Sequence, residues 1–224
     1  MIKNITHCQR CGTCCKKGGP SLHKEDKRIL LSGHIGYQHL ITVRKGEPAF
    51  TPVSCGIEPS GYELVKVAGR GKGWSCCFFD EAESSCIIYE HRPLECRLLK
   101  CWDTSDLISV IGKDTITRID IIHPDNPVLR AIEAHEQECS VQKVEALISA
   151  LTKKADRVEI LAELAELVRR DLFIRSQAVS EFELTLPVEL FYFGRPLFKF
   201  LETRGISVDE VDGDIRLDCN PSLH

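Results

Sequence analysis

The chain has 224 residues, with 29 basic and 33 acidic side chains, a formal net charge of −4 and a pI near 6.1. This length can bury a core without disulfide cross-links, and the charge balance argues against nucleic acid as the main partner. The sequence shows no apolar run near the roughly 18 residues that span a bilayer, and no secretory or transit pattern at its start. We therefore expect a cytoplasmic protein with neither a membrane nor a nucleic-acid partner.

The first part of the chain, residues 1–124, is predicted to be irregular and rich in glycine. Ser21 is placed to cap a short helix that glycine stops at Gly33. Residues 62–68 alternate between apolar and polar types, which predicts a strand. A second short helix is predicted over residues 103–111, with Asp103 or Thr104 as its cap.

The second part, residues 125–224, is predicted to be mainly helical. Asn126-Pro127 opens a helix that extends to Cys139, and Ser140 caps the next one. A third helix is predicted over residues 155–177, and its spacing predicts burial of Val158, Leu161, Leu164, Ala165, Val168 and Leu172.

Beyond that helix, a helical segment over 188–204 is interrupted at 194–196 and stopped by Gly205. Residues 208–217 are predicted to form a hairpin that turns at Asp212-Gly213. The expected fold class is α+β: an irregular, cysteine-rich, metal-binding half packed on a mainly helical half, as one compact unit.

Cysteines are the main chemical feature, since the chain has twelve of them. In a reducing compartment a cysteine framework is more often metal-binding or catalytic than disulfide-linked. Eight cysteines fall into two sets, and the other four are interpreted as ordinary thiols. The two sets are Cys8, Cys11, Cys14 and Cys15, and Cys76, Cys86, Cys96 and Cys101; the remaining thiols are Cys55, Cys77, Cys139 and Cys219.

The first set has the spacing of known half-sites. Two cysteines separated by two residues can place both sulfurs on one metal ion, and three at this spacing are typical of ferredoxin-type clusters. Cys15 departs from the ferredoxin pattern because it follows Cys14 directly. Adjacent side chains diverge, so this pair suits a polynuclear cluster, a bridging thiolate or two neighbouring sites better than one zinc ion. Alternatively, one of the two thiols only packs.

The second set lies in a denser context. It reads Cys76-Cys77-Phe78-Phe79-Asp80, then Cys86-Ile87-Ile88-Tyr89, then Arg92-Pro93-Leu94-Glu95-Cys96-Arg97. With these motifs, residues 8–102 resemble the CxxCxxCC cysteine-cluster family, whose members are described as zinc- or iron-chelating. The resemblance implies a metal site built from Cys8, Cys11, Cys14, Cys15, Cys76, Cys86 and Cys96, and Cys101 would complete a count of eight.

Residues near these cysteines have expected supporting roles. Arg97 either donates to cluster sulfurs or forms a salt bridge with Glu95 or Asp80. Tyr89, Arg92 and Pro93 are expected to fix the loop between Cys86 and Cys96.

Histidines offer further ligands. His7 precedes Cys8, and His135 and Cys139 stand four residues apart on a predicted helix, a spacing that lets both reach one metal. The alternative for His135 is a solvent-facing side chain beside a half-buried thiol.

Three functions stay open at this point. The spacing favours an iron–sulfur cluster or iron over zinc, in a structural or redox role. The family includes flagellin lysine-N-methylases, so the resemblance also implies methyl transfer from S-adenosylmethionine to a protein substrate. A third hypothesis is a zinc-stabilised interaction module. An enzyme would accordingly be an oxidoreductase or a protein methyltransferase.

One local feature is compatible with nucleotide binding. Gly69-Arg70-Gly71-Lys72-Gly73 follows the predicted strand and could bring backbone close to a nucleotide. It runs directly into Trp74-Ser75-Cys76, however, where a nucleotide loop would open a helix, and it lacks the Ser or Thr of a phosphate loop. This favours a flexible loop.

Overall fold

The computed structural model describes residues 8–152 and 156–219, which form a mixed α+β fold, as the sequence predicted. The helices in these ranges are α1 Lys27–Leu31, α2 Leu94–Leu98, α3 Ser105–Val110, α4 Val128–Glu138, α5 Val141–Thr152, α6 Arg157–Phe182, α7 Leu186–Phe193 and α8 Leu197–Glu202. The strands are β1 Leu40–Val43, β2 Pro48–Thr51, β3 Gly56–Pro59, β4 Leu64–Val67, β5 Gly69–Arg70, β6 Ser75–Cys76, β7 Phe79–Asp80, β8 Ser85–Cys86, β9 Ile206–Val211 and β10 Asp214–Cys219.

The central sheet is the antiparallel pair of β1 and β4, in which Leu40 lies opposite Val67. The strand predicted over residues 62–68 is therefore confirmed as β4. Ser21 lies extended beside Lys66 of that strand, so its predicted role as a helix cap is wrong. Its backbone is used for strand pairing, and the helical segment begins only after His23.

The helical half packs against this sheet through β1. Helix α7 contacts β1, and Thr42 donates from its hydroxyl to the carbonyl of Phe191 at 2.5 Å. Apolar side chains of both halves, from Leu22 to Ile206, form one buried cluster. In the ranges that the structure describes, no helix has the length and apolar character needed to cross a membrane.

The predicted helices of the second half are present as α4 to α8, with shifted ends. Helix α6 is longer than predicted and ends at Phe182. Leu164, Ala165 and Val168 are buried as expected, but the prediction for Val158 is wrong, because 77% of this residue is exposed. The C-terminal hairpin of β9 and β10 turns at Asp212-Gly213, as predicted.

Candidate metal centre

Two short hairpins carry the first two cysteines of the second set. Strand β5 pairs with β6, which places Cys76 opposite Gly69, and β7 pairs with β8, which places Cys86 opposite Phe79. The glycine-rich segment is thus the turn of the first hairpin. It leads from strand to strand, so it lacks the helix that a nucleotide-binding loop would open.

The N-terminal cysteine segment lies directly against these hairpins. A Cβ atom at Gly12, where φ is +71°, would stand 2.4 Å from the Phe79 ring, and one at Gly19 would stand 2.3 Å from the Val67 carbonyl oxygen. The 3-10 turn Cys15–Lys17 contacts β6. Glycine at these two positions therefore lets the segment approach closely enough to bring Cys14 and Cys15 beside Cys76.

Cys96 is presented by α2, which residues 21–26 hold in place. Glu95 accepts the backbone N–H of Ser21 at 2.8 Å and lies 3.3 Å from Nε2 of His23. The hydrogen bond with Glu95 raises the pKa of His23. Asp26 is fully buried and accepts backbone N–H groups from both His23 and Leu94. A network of buried polar groups therefore fixes the helix that carries this thiol.

Four thiols from these elements, Cys14, Cys76, Cys86 and Cys96, form what we call the inner thiols. Burial raises the pKa of Cys96, and negative charge on the other three raises it further. Burial likewise raises the pKa of Cys86, with a further contribution from charge on Cys76 and Cys14. Such mutual repulsion of thiolates is relieved when a cation binds among them, so the arrangement suits a metal.

Cys15 adjoins the inner thiols, with its Sγ atom 3.9 Å from that of Cys14. A hydrogen bond from Cys15 lowers the pKa of Cys14 to about 6, and the same contact raises the pKa of Cys15. The two thiols therefore ionise as a linked pair, in which loss of one proton makes loss of the second harder. Charge on Cys76 and Cys96 also raises the pKa of Cys15.

The remaining three predicted ligands, Cys8, Cys11 and Cys101, are exposed, and we call them the outer thiols. Burial is the main cause of the raised pKa of Cys101, and charge on Cys14, Cys11 and Cys8 contributes. Thr13, whose hydroxyl lies 3.2 Å from the Cys11 sulfur, lowers the pKa of Cys11. The outer thiols thus flank the inner ones on the solvent side, with Cys14 close to both sets.

The inner thiols are not closed around a point. In residues 8–152 and 156–219, the one group of three or more metal-binding side chains with all donor atoms within 4.8 Å of one another is His135, Cys139 and Asp171. To bind one metal together, the four sulfurs must therefore come closer to one another than they lie here.

The group of His135, Cys139 and Asp171 is fully buried, so the expectation of a solvent-facing His135 is wrong. Oδ1 of Asp171 lies 2.6 Å from Nε2 of His135 and accepts from Nε of Arg175 at 2.9 Å, while Oδ2 accepts the backbone N–H of Leu197. Because a guanidinium already occupies this carboxylate, we interpret the group as a structural anchor. His7, the other candidate histidine, lies outside the described residues.

Two arginines near the second cysteine set had expected roles: the contacts of Arg97 differ from that expectation, and those of Arg92 agree with it. Arg97 pairs with Glu25 at 2.5 Å and donates to the carbonyl of Arg92, so both expected partners, Glu95 and Asp80, are wrong. Arg92 stacks on the Tyr89 ring at 3.8 Å and donates to the Tyr89 carbonyl, which agrees with the predicted role of these two residues in fixing the loop.

The four other thiols have separate surroundings. Cys77 is buried beside Cys76, with its sulfur 3.9 Å from the His39 carbonyl oxygen. Cys139 is buried, Cys55 is exposed in the turn between β2 and β3, and Cys219 ends β10.

Residues 7–140 match the model of the protein family named CxxCxxCC, described as "Putative zinc- or iron-chelating domain". The matched range contains all eight cysteines of the two sets. Comparisons with curated proteins and with solved structures gave no match.

Proposed function

Since the chain belongs to the CxxCxxCC family of zinc- or iron-chelating domains, we propose that it holds a metal centre at the inner thiols. The observation that carries this proposal is the meeting of Cys14, Cys76, Cys86 and Cys96. They come from a loop, two hairpins and a helix, and they are close enough to perturb one another's ionisation. Four thiolates are the number of ligands that a closed zinc site or one iron–sulfur cluster requires.

We propose iron, as an iron–sulfur cluster or bound iron, over zinc. The Cys14–Cys15 pair and the three cysteines at ferredoxin spacing support this choice, because neither is needed by a single tetrahedral zinc ion. Cys15 would serve as a bridging or exchangeable thiolate, and the outer thiols as ligands of a second site or of the exposed edge of a cluster. Bound iron would supply one-electron redox chemistry, whereas zinc would supply only a structural link.

Purification of the full chain without oxygen tests this proposal. Iron, zinc and acid-labile sulfide are measured per chain, together with the visible absorption spectrum. Brown protein with iron and sulfide supports the cluster, and iron without sulfide supports a bound iron ion. Colourless protein with stoichiometric zinc would overturn the choice of iron. Protein that stays metal-free after anaerobic reconstitution with either metal would overturn the metal centre itself.

A further inference from the structure

Three cations approach the inner thiols from separate elements, and none of them is paired with an acidic side chain of the described residues. They are Lys66 of β4, Arg70 of β5 and Arg92, which precedes α2. Among the described residues, none of the three has a carboxylate oxygen within 4.0 Å of its charged nitrogens. By contrast, the buried arginines Arg44 and Arg175 are each paired with an acidic side chain.

Among the described residues, the lack of an acidic partner is clearest for Lys66. Its side chain is half-buried, and burial lowers its pKa, while nearby charge on Glu95 and Cys96 opposes that change. The contact found for its ammonium group is the Ser21 hydroxyl, at 3.4 Å. The Glu95 carboxylate is already engaged by the Ser21 backbone and by His23. An ammonium withdrawn from water without an ion pair is costly, so a negative group is expected beside it.

Arg92 and Arg70 extend this positive surface along the site. The Arg92 guanidinium lies over the Tyr89 ring, and its charge acts to lower the pKa of both Cys14 and Cys86. Arg70 lies opposite Ser75, one position from Cys76 in the same hairpin, and acts in the same direction on Cys76 and Cys77. Each of the inner thiols therefore interacts electrostatically with at least one of these cations, and Arg70 lies in the same hairpin as Cys76.

We propose that Lys66, Arg70 and Arg92 are the counter-charge for a net negative metal–thiolate centre, and that Lys66 depends on this centre most. The inference rests on the proposed function and adds to it the charge of the loaded site. A divalent ion or an iron–sulfur cluster with four thiolates carries excess negative charge, whereas protonated thiols carry none. These cations would therefore favour the loaded protein over the empty one.

Lys66→Met and Lys66→Arg, made in the full chain, test the proposal. Metal affinity is measured by competition with a chelator, using the metal that the wild-type protein holds. Lys66→Met is expected to weaken binding roughly 10- to 100-fold, the usual effect of losing a partner that surrounds the ligands. Lys66→Arg should restore most of the affinity because it restores the charge. Lys72→Met is the matched control, since Lys72 is exposed in the turn after Arg70.

The thermal midpoint of the metal-free protein separates charge from packing. Loss of an uncompensated charge should leave the metal-free midpoint of Lys66→Met equal to that of the wild type or higher. Arg70→Gln and Arg92→Gln are expected to weaken metal binding in the same way, and they stand in for Lys66→Met if that variant does not fold.

The outcomes also separate the two proposals. Wild-type protein that binds no metal would overturn the proposed function. Wild-type protein that binds metal, with unchanged affinity in all three neutral variants, would overturn only the counter-charge. The counter-charge would also be overturned if Lys66→Met lowered the thermal midpoint of the metal-free protein and Lys66→Arg did not restore the metal affinity. That result would indicate a packing role for Lys66.

Discussion

Asp26 accepts the backbone N–H of Leu94 at 2.8 Å and so caps, from 68 residues away in sequence, the helix that presents Cys96. Pro93 occupies the N-cap position of that helix, and its side chain makes no capping hydrogen bond. The second oxygen of Asp26 accepts the backbone N–H of His23 at 2.9 Å. One buried carboxylate therefore joins the start of the α1 region to the helix that presents Cys96.

Substitution of this cap should weaken both stability and metal binding. Asp26→Ala leaves two N–H groups without an acceptor, which is expected to cost about 1–3 kcal/mol for each group that stays buried. Asp26→Asn keeps one acceptor oxygen and should cost less. Urea unfolding of the loaded protein and its metal content measure the two effects. Wild-type values for Asp26→Ala would show that the cap does not position the site.

Cysteine substitutions should separate the inner thiols from the outer ones. Cys96→Ser and Cys86→Ser are expected to abolish stoichiometric metal binding, because each removes one of the four half-buried thiols that are proposed to hold the metal. Cys101→Ser should retain the inner centre and lose at most an additional metal. Cys55→Ser is the control, since Cys55 is exposed and belongs to neither set.

Metal content per chain after anaerobic reconstitution measures these effects. Full occupancy in Cys96→Ser would contradict the assignment of the inner thiols. Loss of all metal in Cys101→Ser would instead show that the two sets form one centre.

Sequence motifs located the thiols but not the groups that surround them. The prediction of Cys76, Cys86 and Cys96 as ligands came from the family resemblance, which rests on short segments whose cysteines stand at fixed intervals. Lys66 was missed because alternation in β4 shows only that its side chain faces away from Val65 and Val67. That the Ser21 hydroxyl lies 3.4 Å from the Lys66 ammonium nitrogen depends on a contact between distant parts of the chain, which no local pattern encodes.

The fold shows the same limit. The helices after residue 125 were predictable from caps and apolar spacing. Val158 is nevertheless exposed, because periodicity defines a helix face but does not show whether a neighbouring element covers it. Strand β1 was missed because all four of its residues are buried, so it lacks alternation.

Metal removal should loosen the cysteine-rich half before the helical half. The hairpins β5–β6 and β7–β8 have only two residue pairs each, and such short ladders have little stability of their own. Hydrogen exchange should therefore accelerate at the amides of Cys77 and Ile87 after chelation, while α6 and the β9–β10 hairpin stay protected. Equal acceleration throughout the chain would show that the metal stabilises the whole fold.

The buried anchor in the helical half should be sensitive to loss of its charge. Asp171→Asn removes the carboxylate that partners Arg175 and His135, and breaking such a buried pair is expected to cost about 3–5 kcal/mol. Glu166→Gln is the matched control on the same helix, because Glu166 pairs with Arg169 at the surface, where ion pairs contribute about 0–1 kcal/mol. Chemical unfolding followed by circular dichroism compares the two, and equal small losses would contradict the role of Asp171.

The same anchor should make stability fall in mild acid. Burial lowers the pKa of His135, and the nearby charges of Arg44 and Arg175 act in the same direction. The unfolded chain therefore takes up a proton on this histidine near its ordinary pKa of about 6.5, before the folded protein does. Since the unfolded state then binds more protons, the free energy of unfolding should decrease as the pH falls below about 6.5.

Asp171 should extend the decrease in the free energy of unfolding to lower pH. Although burial acts to raise the pKa of its carboxyl, the His135 hydrogen bond and the Arg175 charge outweigh it and hold the pKa below its ordinary range. Its contribution is complete above the unfolded pKa of about 3.9 and is lost as the pH falls further. Urea unfolding of the metal-free wild type and His135→Gln between pH 7.5 and about 5 isolates the histidine. His135→Gln should flatten the pH dependence of the free energy of unfolding in this range. Identical slopes for the wild type and the variant would show that His135 titrates alike in the folded and unfolded states.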